Sequence, residues 1–382
     1  MQSQLMQLSR WICNEKLDEW YGVVNTRLWR LKQPKAGGPV YYYHYQTAAK
    51  NSDVINGIDQ PEDLVDYFRL SIDLPSLLVR WQSSDALFAS YSTKSESVNS
   101  LSWDEAYGIR LLRQDPVETL FAFITSANNN VPRISRLLRD LCEMLGKPVS
   151  CHGLKHWLFP SLETLAKPGL EECLKKLGFG YRSKFIPAAA RYVLQHGGVA
   201  YLHSLRSSSM ADAREFLLRI PGVGNKVADC ICLCSLDKVD VVPVDIHILR
   251  AAQERKLAAA TDKTRSLTPR AYLDISSALS ALWGNWAGWA QAIDFAARMR
   301  SSPSHNSTPS ILLTLECLAI YTASVRDVDR SPRLKTSTFS NSILCPVSSA
   351  CSAIAESFSN ARYSSAFLGG LFIFLLCSPI LG

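Results

Sequence analysis

The pattern of hydrophobic and polar positions along the chain changes near residue 100. Before that point two runs, residues 20–24 and 39–45, have the character of strands, and residues 61–68 have the period of an amphipathic helix. Residues 101–300 form a series of helical patterns with short polar connections. Residues 301–360 are rich in serine and threonine and keep neither period, so we predict that they are mostly disordered. The pattern predicts an α+β chain with a sheet-forming part, a helical part and a tail.

Two of the predicted helices meet at a glycine turn. The first covers residues 211–218 and ends at Pro221-Gly222. We expect Gly224 to take a left-handed backbone conformation before a second helix that begins near Lys226. The amides of such a turn and of the following helix N-terminus favour an anion such as a phosphate. The segment is therefore either a structural turn or a phosphate-binding helix-hairpin-helix.

Two charged residues close to this turn carry the candidate chemistry. Lys226 has apolar neighbours, and a partly desolvated lysine can act as a nucleophile, although a lysine in the first turn of a helix is often only a solvated charge. Asp245 follows a Val-Val-Pro-Val run and is predicted to cap a helix that begins at Ile246. Asp245 is either that cap alone or, in addition, a carboxylate that stabilises positive charge or handles protons for the lysine.

Several motifs in order resemble one family. The run Pro-Gly-Val-Gly-Asn-Lys at 221–226, followed by Val-Pro-Val-Asp at 242–245, resembles the helix-hairpin-helix, Gly/Pro-rich loop, Asp superfamily of DNA repair glycosylases. Further segments narrow the resemblance to the 8-oxoguanine DNA glycosylases: GIRLLRQDP at 108–116, FAFITSANNN at 121–130, LGFGYR at 177–182 and LWGNWAGWAQA at 282–292. The resemblance covers about residues 9–300.

This resemblance implies a bifunctional DNA glycosylase and abasic-site lyase that removes 8-oxoguanine opposite cytosine. The base must be flipped out of the duplex before its sugar can be attacked. The resemblance implies double-stranded damaged DNA as the partner, no cofactor, no metal, a monomer, and a nuclear or mitochondrial location. A helix-hairpin-helix glycosylase for another damaged base and an inactive DNA-binding form are the alternatives.

The resemblance also implies roles for individual residues. Lys226 attacks the sugar C1′, expels the base and forms a Schiff base, and Asp245 supports that step electrostatically. The residues implied to hold the base are Gln291, Phe295 and Cys230. Those implied to contact the DNA are Asn128 in the gap left by the base, Arg133 and Arg182 on the opposite cytosine, Tyr181 as a wedge in the opposite strand, Gly222 and Gly224 at the hairpin, and His247 on a phosphate. Taken singly, residues 128–130 also fit a turn, and Trp283, Trp286, Trp289 and Phe295 also fit a simple core.

The resemblance implies two domains, and the chain departs from the family pattern at two positions. Residues 1–100 match a TATA-binding-protein-like antiparallel sheet domain whose first strands we expect to be missing, because Met6 occupies the place of the family's recognition glycine. Residues 101–300 match an all-helical helix-hairpin-helix glycosylase core. Arg298 stands where the family usually has an acid, so we expect the usual partner of His247 to be absent.

Charge and cysteine content agree with this interpretation. The net charge is +7, nearly all of it in residues 1–300, which suits a partner that carries phosphates. The Cys230-x-Cys232-x-Cys234 spacing is wrong for a zinc pair, and no cysteine follows until Cys317, so the four-cysteine iron–sulfur loop of related glycosylases is missing. The apolar end, residues 366–382, is marginal in length for a membrane span, and we do not expect it to anchor the protein.

Overall fold

The computed structural model describes residues 11–14, 17–32, 40–45, 62–93, 109–151, 154–260, 267–300 and 337–338. The predictions for Met6, for the missing first strands and for the apolar end fall outside these residues, as does nearly all of the predicted tail. Within the described ranges, no helix combines the length and the apolar character that crossing a membrane requires.

The strand predictions are confirmed by a small antiparallel sheet. Strands β1 to β4 follow one another in chain order, and a two-residue strand β7 pairs with β4. The turn between β2 and β3 consists of Asn25 and Thr26, both with positive φ (49° and 64°), as a two-residue hairpin of this twist requires. The strands are β1 (Ile12–Asn14), β2 (Glu19–Val24), β3 (Arg27–Lys32), β4 (Tyr41–Tyr45), β5 (Pro148–Cys151), β6 (Leu154–Trp157) and β7 (Ser337–Thr338).

The helical part follows the predicted series. Its elements begin repeatedly at a polar cap, as with Asp115 and Thr268, each followed by proline at the first helical position. The helices are α1 (Glu62–Tyr67), α2 (Leu74–Ser84), α3 (Ala86–Thr93), α4 (Pro116–Ser126), α5 (Val131–Leu145), α6 (Leu162–Leu165), α7 (Leu170–Lys176), α8 (Phe185–Gln195), α9 (Gly198–Ser204), α10 (Met210–Leu218), α11 (Asn225–Ser235), α12 (Ile246–Glu254), α13 (Pro269–Trp283) and α14 (Ala287–Arg300). Short 3₁₀ turns cover Gly180–Lys184 and Ala258–Ala260.

The helical part contains one feature that its pattern did not predict. Strands β5 and β6 form an antiparallel hairpin between α5 and α6. Its residue His156 stacks on Tyr21 of the sheet with ring centroids 6.1 Å apart, and Val149 packs against Tyr21 and Leu28. The hairpin therefore joins the sheet to the otherwise helical core.

A buried ion cluster fixes α2 against the last helices. The guanidinium of Arg255 lies 2.6 Å from both Asp85 and Asp294, and all three side chains are buried. Arg298 donates to Asp294 at 2.8 Å and also pairs with Glu254. Arg298, which stands in place of the family's usual acid, therefore has carboxylate partners of its own.

Candidate active site

The turn between α10 and α11 is a helix-hairpin-helix, but its glycines differ from the prediction. Gly222 is the left-handed residue, with φ of +89°, whereas Gly224 has extended backbone (φ −105°, ψ −177°) and the prediction for it is wrong. A Cβ at Gly222 would lie 2.8 Å from Cβ of Phe185. Glycine is therefore required there both by the positive φ and by the lack of space for a side chain. A Cβ at Gly224 would meet nothing within 4 Å, which leaves open space at the N-terminus of α11.

Lys226 and Asp245 form an ion pair beside this turn. Nζ of Lys226 lies 3.1 Å from Oδ2 of Asp245 and donates a hydrogen bond to it. The other oxygen, Oδ1, accepts the backbone N–H groups of His247 (3.0 Å) and Ile248 (3.1 Å), which confirms the predicted cap of α12. About a third of the lysine side chain is exposed (32%), against 14% for Asp245. The amine is therefore reachable from solvent, and the carboxylate is held by the start of a helix.

Asp245 remains ionised in this setting. Burial opposes its charge, but the ammonium of Lys226 and the N–H of Ile248 are among the groups that outweigh burial and hold the pKa of Asp245 well below its usual range. Asp245 therefore caps α12 and places an ionised carboxylate against the lysine. Its electrostatic role in a reaction stays a prediction.

Gln291 and Phe295 lie on the same buried face of α14, as their spacing predicts. Nε2 of Gln291 donates to the carbonyl of Pro243 at 2.9 Å. Its Oε1 is buried and has no hydrogen-bond partner among the described residues. Phe295 packs edge-on against the ring of His247, with centroids 5.7 Å apart. An unpaired buried acceptor is costly, so a ligand donor is the natural partner for Oε1.

Cys230 and His247 complete what we call the catalytic cluster: Lys226, Cys230, Asp245, His247, Gln291 and Phe295. The thiol of Cys230 is 1% exposed, and burial raises its pKa to about 12, so it stays neutral. Burial likewise lowers the pKa of His247, although Asp245 opposes this shift. Both side chains are therefore uncharged contact groups at neutral pH.

The residues predicted to contact the opposite strand gather at a second place, which we call the opposite-strand cluster: Asn128, Arg133, Tyr181 and Arg182. Asn128 lies in a turn with φ of 47° and is exposed, so the turn and the DNA interpretation coexist. The guanidinium of Arg182 donates to the carbonyls of Ala127 (2.9 Å from Nε) and Asn128 (2.6 Å). The hydroxyl of Tyr181 donates to the same Ala127 carbonyl at 3.0 Å.

The two arginines of this cluster differ in exposure. Arg182 is only 3% exposed, and burial together with the charge of Arg133 lowers the pKa of its guanidinium. Arg133 is exposed and donates to the carbonyl of Gly178 at 2.8 Å. Arg133 therefore has the more accessible guanidinium of the two.

Two residues with a part in the site were missed from the sequence. Phe185 packs edge-on against Tyr181 with centroids 6.2 Å apart and also fills the space beside Gly222, so it joins the opposite-strand cluster to the hairpin. Tyr272 contacts the segment before Asp245. No local pattern marks either residue, since the contact of Phe185 with Gly222 and that of Tyr272 with Val244 join segments that are distant in the chain.

Other predicted features follow the core interpretation. Trp283 and Trp289 are fully buried. The thiols of Cys230, Cys232 and Cys234 are buried and form no disulfide. Within the described ranges, no three His, Cys, Asp or Glu side chains are placed to hold a metal ion.

Two family models match the chain one after the other. Residues 4–120 match the 8-oxoguanine DNA glycosylase N-terminal domain, and residues 121–273 match the HhH-GPD superfamily of base excision DNA repair proteins.

Known proteins agree with these matches. The chain is 35% identical over 272 residues to the N-glycosylase/DNA lyase of Saccharomyces cerevisiae, covering 65% of this chain and 69% of that one. It is 32% identical to N-glycosylase/DNA lyase OGG1 of Arabidopsis thaliana, covering 74% and 72%. The solved structure of MBOgg1 in complex with a low affinity DNA ligand superposes with a TM-score of 0.60 at 28% identity, over 76% of this chain and 88% of that one.

Proposed function

The chain belongs to the N-glycosylase/DNA lyases of the 8-oxoguanine DNA glycosylase family, and we propose that it excises 8-oxoguanine paired with cytosine through a Schiff base on Lys226. The observation that carries the proposal is the Lys226–Asp245 ion pair, 3.1 Å long, at the mouth of an anion-favouring hairpin. It supplies an amine and a carboxylate where the sugar of a flipped nucleotide would lie if its phosphate bound the hairpin.

The chemistry follows from these two groups. Nζ of Lys226 must give up a proton to solvent before it attacks, and Asp245, which stays ionised, holds the amine through Oδ2. The Nζ–C1′ bond forms as the bond from C1′ to the base breaks, and the electron pair leaves with the base. The ionised Asp245 stabilises the positive charge that develops on the sugar. The adduct nitrogen passes a proton to the departing base, and the C1′–O4′ bond then breaks with its electron pair going to O4′, which takes up a proton, to give a protonated Schiff base. This Schiff base acidifies the sugar C2′ protons, and loss of one expels the 3′ phosphate and breaks the strand by β-elimination.

We propose that residues of α14 recognise the base. The Watson–Crick edge of a guanine-type base carries N–H donors, which the unpaired Oε1 of Gln291 would accept. Phe295 and Cys230 would line the faces and rim of the same pocket as neutral, apolar groups. His247 would contact a phosphate beside the flipped nucleotide.

Recognition of cytosine is proposed for the opposite-strand cluster. Asn128 would fill the gap in the stack, and Tyr181, half exposed (50%), would wedge beside the orphaned base. Arg133 and Arg182 would donate to the acceptors on the cytosine edge. Arg182 must first release the Ala127 and Asn128 carbonyls, so DNA binding is proposed to open this turn.

The solved neighbour that contains DNA supports a duplex DNA partner for this chain. We further propose that the protein acts as a monomer without a small-molecule cofactor, because the steps above use only side chains of this chain. Its substrate implies a nuclear or mitochondrial location. Size-exclusion chromatography with the duplex and cell fractionation test these two points.

Borohydride trapping on a duplex with one 8-oxoguanine tests the proposed reaction. Reduction of the Schiff base should leave a covalent protein–DNA adduct with the full-length protein and none with Lys226→Gln. Lys175→Gln is the matched control, since Lys175 is an exposed lysine bound to Glu171 and Glu172 and should trap normally. Binding of the duplex with no adduct would leave only an inactive DNA-binding protein and overturn the proposal.

The substrate is tested by changing the duplex. Excision should be fastest for 8-oxoguanine opposite cytosine and should fall when adenine replaces the cytosine. Faster excision of another damaged base would assign the chain to a different substrate while keeping the Lys226 chemistry.

A further inference from the structure

One peptide unit, between Pro243 and Val244, links Gln291 to the segment that carries Asp245. Its carbonyl, on Pro243, accepts the hydrogen bond from Nε2 of Gln291 at 2.9 Å. Its N–H, on Val244, donates to the hydroxyl of Tyr272 at 3.3 Å. Asp245 is the next residue. Because a peptide unit is a rigid plane, Gln291 and Tyr272 hold opposite edges of one body that carries Asp245.

Tyr272 is in turn tied to the helix that carries Lys226. Its hydroxyl donates to Oδ2 of Asp229 at 2.6 Å, and Oδ1 of Asp229 accepts from Nε of Arg214 at 2.8 Å. Asp229 lies on α11, nearly one turn after Lys226. A tyrosine hydroxyl has a single proton to donate. Since that proton goes to Asp229, the oxygen is left as the acceptor for Val244, and the direction of both bonds is fixed.

The hydrogen bond between Tyr272 and Asp229 is buried, and the Tyr272 hydroxyl keeps its proton. Tyr272 and Asp229 are 4% and 1% exposed. Burial, followed by the charge of Asp229, raises the pKa of Tyr272 above its usual range, so the hydroxyl remains a donor at neutral pH. Helix α13, which carries Tyr272, also holds the segment before Asp245 through Ser276, whose hydroxyl donates to the carbonyl of Val242 at 2.8 Å.

We infer that Tyr272, held by Asp229, is a positioning residue that fixes the Pro243–Val244 peptide and thereby places both the Asp245 carboxylate and the Gln291 amide. With Nε2 committed to Pro243, Gln291 turns Oε1 toward the base and so selects a base edge that donates. The inference rests on the proposed function, because it concerns the same excision reaction. It assigns Tyr272 no contact with DNA.

Tyr272→Phe tests the inference, because it removes the hydroxyl and keeps the ring. Trapping on an abasic-site duplex, which needs Lys226 and Asp245 but no base, should slow by about tenfold, as expected for a misplaced charge near the reacting atoms. Single-turnover excision of 8-oxoguanine should fall further, since Gln291 is also released. Affinity for a duplex with a tetrahydrofuran abasic analogue should stay within about twofold, because no DNA contact is removed.

A double substitution separates positioning from general loosening. In an Asp245→Asn background, Tyr272→Phe should change the trapping rate by less than about twofold, since the group it positions is gone. An equal loss in both backgrounds, or an unchanged trapping rate in the single variant, would overturn the inference. If Tyr272→Phe does not fold at the assay temperature, Asp229→Asn carries the same test with the same criteria.

Two controls complete the experiment. Tyr21→Phe removes a buried tyrosine hydroxyl that donates to Glu19 in the sheet, and it should trap at the normal rate. Ser276→Ala loosens the same segment at Val242 only, and it should also stay within about twofold. A loss with Ser276→Ala equal to that with Tyr272→Phe would point to the segment as a whole and overturn the role of Tyr272. Normal trapping by the unmodified protein throughout keeps the proposed function separate from these outcomes.

Discussion

The catalytic cluster and the opposite-strand cluster satisfy their polar groups in different ways. In the catalytic cluster, Lys226 and Asp245 hold each other, and Gln291 keeps a buried oxygen without a partner among the described residues. In the opposite-strand cluster, Arg133 and Arg182 donate to carbonyls of neighbouring turns. For the reaction we propose, the first cluster is already arranged. We propose that the second exchanges its protein hydrogen bonds for bonds to DNA.

This difference sets the size of the effects that substitutions should have. A preorganised charge needs no rearrangement when the reaction takes place, and its loss is felt in full by the transition state. An exchanged hydrogen bond contributes only the difference between its two partners, which is typically about 1 kcal/mol. Changes in the catalytic cluster should therefore reduce rates more strongly than changes in the opposite-strand cluster reduce recognition.

The largest effect is expected from Asp245→Asn. Asparagine caps a helix about as well as aspartate, so the free energy of unfolding should change by less than about 1 kcal/mol. The carboxylate opposite Lys226 is lost, and single-turnover excision should fall by about 100- to 1000-fold, the range for one electrostatic group at a reacting centre. Rapid-quench kinetics and thermal unfolding measure the two quantities.

Asp73→Asn is the matched control for Asp245→Asn, because Asp73 caps α2 and binds the N–H of Ser76 far from the cluster. It should leave excision unchanged. An excision rate for Asp245→Asn that falls only in proportion to its folded fraction would show that Asp245 is a helix cap alone, and the contrast between the clusters would be lost.

A smaller and more selective effect is expected from Gln291→Ala. The substitution removes the unpaired acceptor and the bond to Pro243, so excision of 8-oxoguanine should fall by about 10- to 100-fold, as for the loss of a buried hydrogen bond to a substrate. Binding to an abasic-site duplex, which has no base to read, should fall much less. Equal losses on the two duplexes would show that Gln291 does not read the base.

Features set by neighbouring residues were predictable from the sequence. The strand β2, the helix α10 and the cap at Asp245 all depend on alternation, on period or on the residue types within one turn. The left-handed conformation was predicted at Gly224 but lies at Gly222, where Phe185 of α8 also leaves no room for a Cβ. A contact between distant segments leaves no trace in the local pattern.

The same limit applies to the candidate site. The resemblance implied that Gln291 holds the base and that Asp245 supports the reaction, but it did not show that Gln291 and Tyr272 hold opposite edges of the peptide unit that precedes Asp245. The resemblance implied that Arg182 contacts the opposite cytosine, but it did not show that Arg182 is buried and donates to the carbonyls of Ala127 and Asn128. Side-chain partners of this kind are decided by packing after the elements have formed.

The smallest effect is expected from Arg133→Ala. The Arg133 side chain is exposed and makes one described hydrogen bond, to Gly178, so the free energy of unfolding should change by no more than about 1 kcal/mol. The ratio of excision opposite cytosine to excision opposite adenine should fall by up to about tenfold, which corresponds to one arginine contact with a base edge. Arg139→Ala removes the same charge from the same helix and should weaken binding to both duplexes equally. If the two variants change the ratio alike, only charge is at work, and the opposite-strand cluster steers DNA without reading the base.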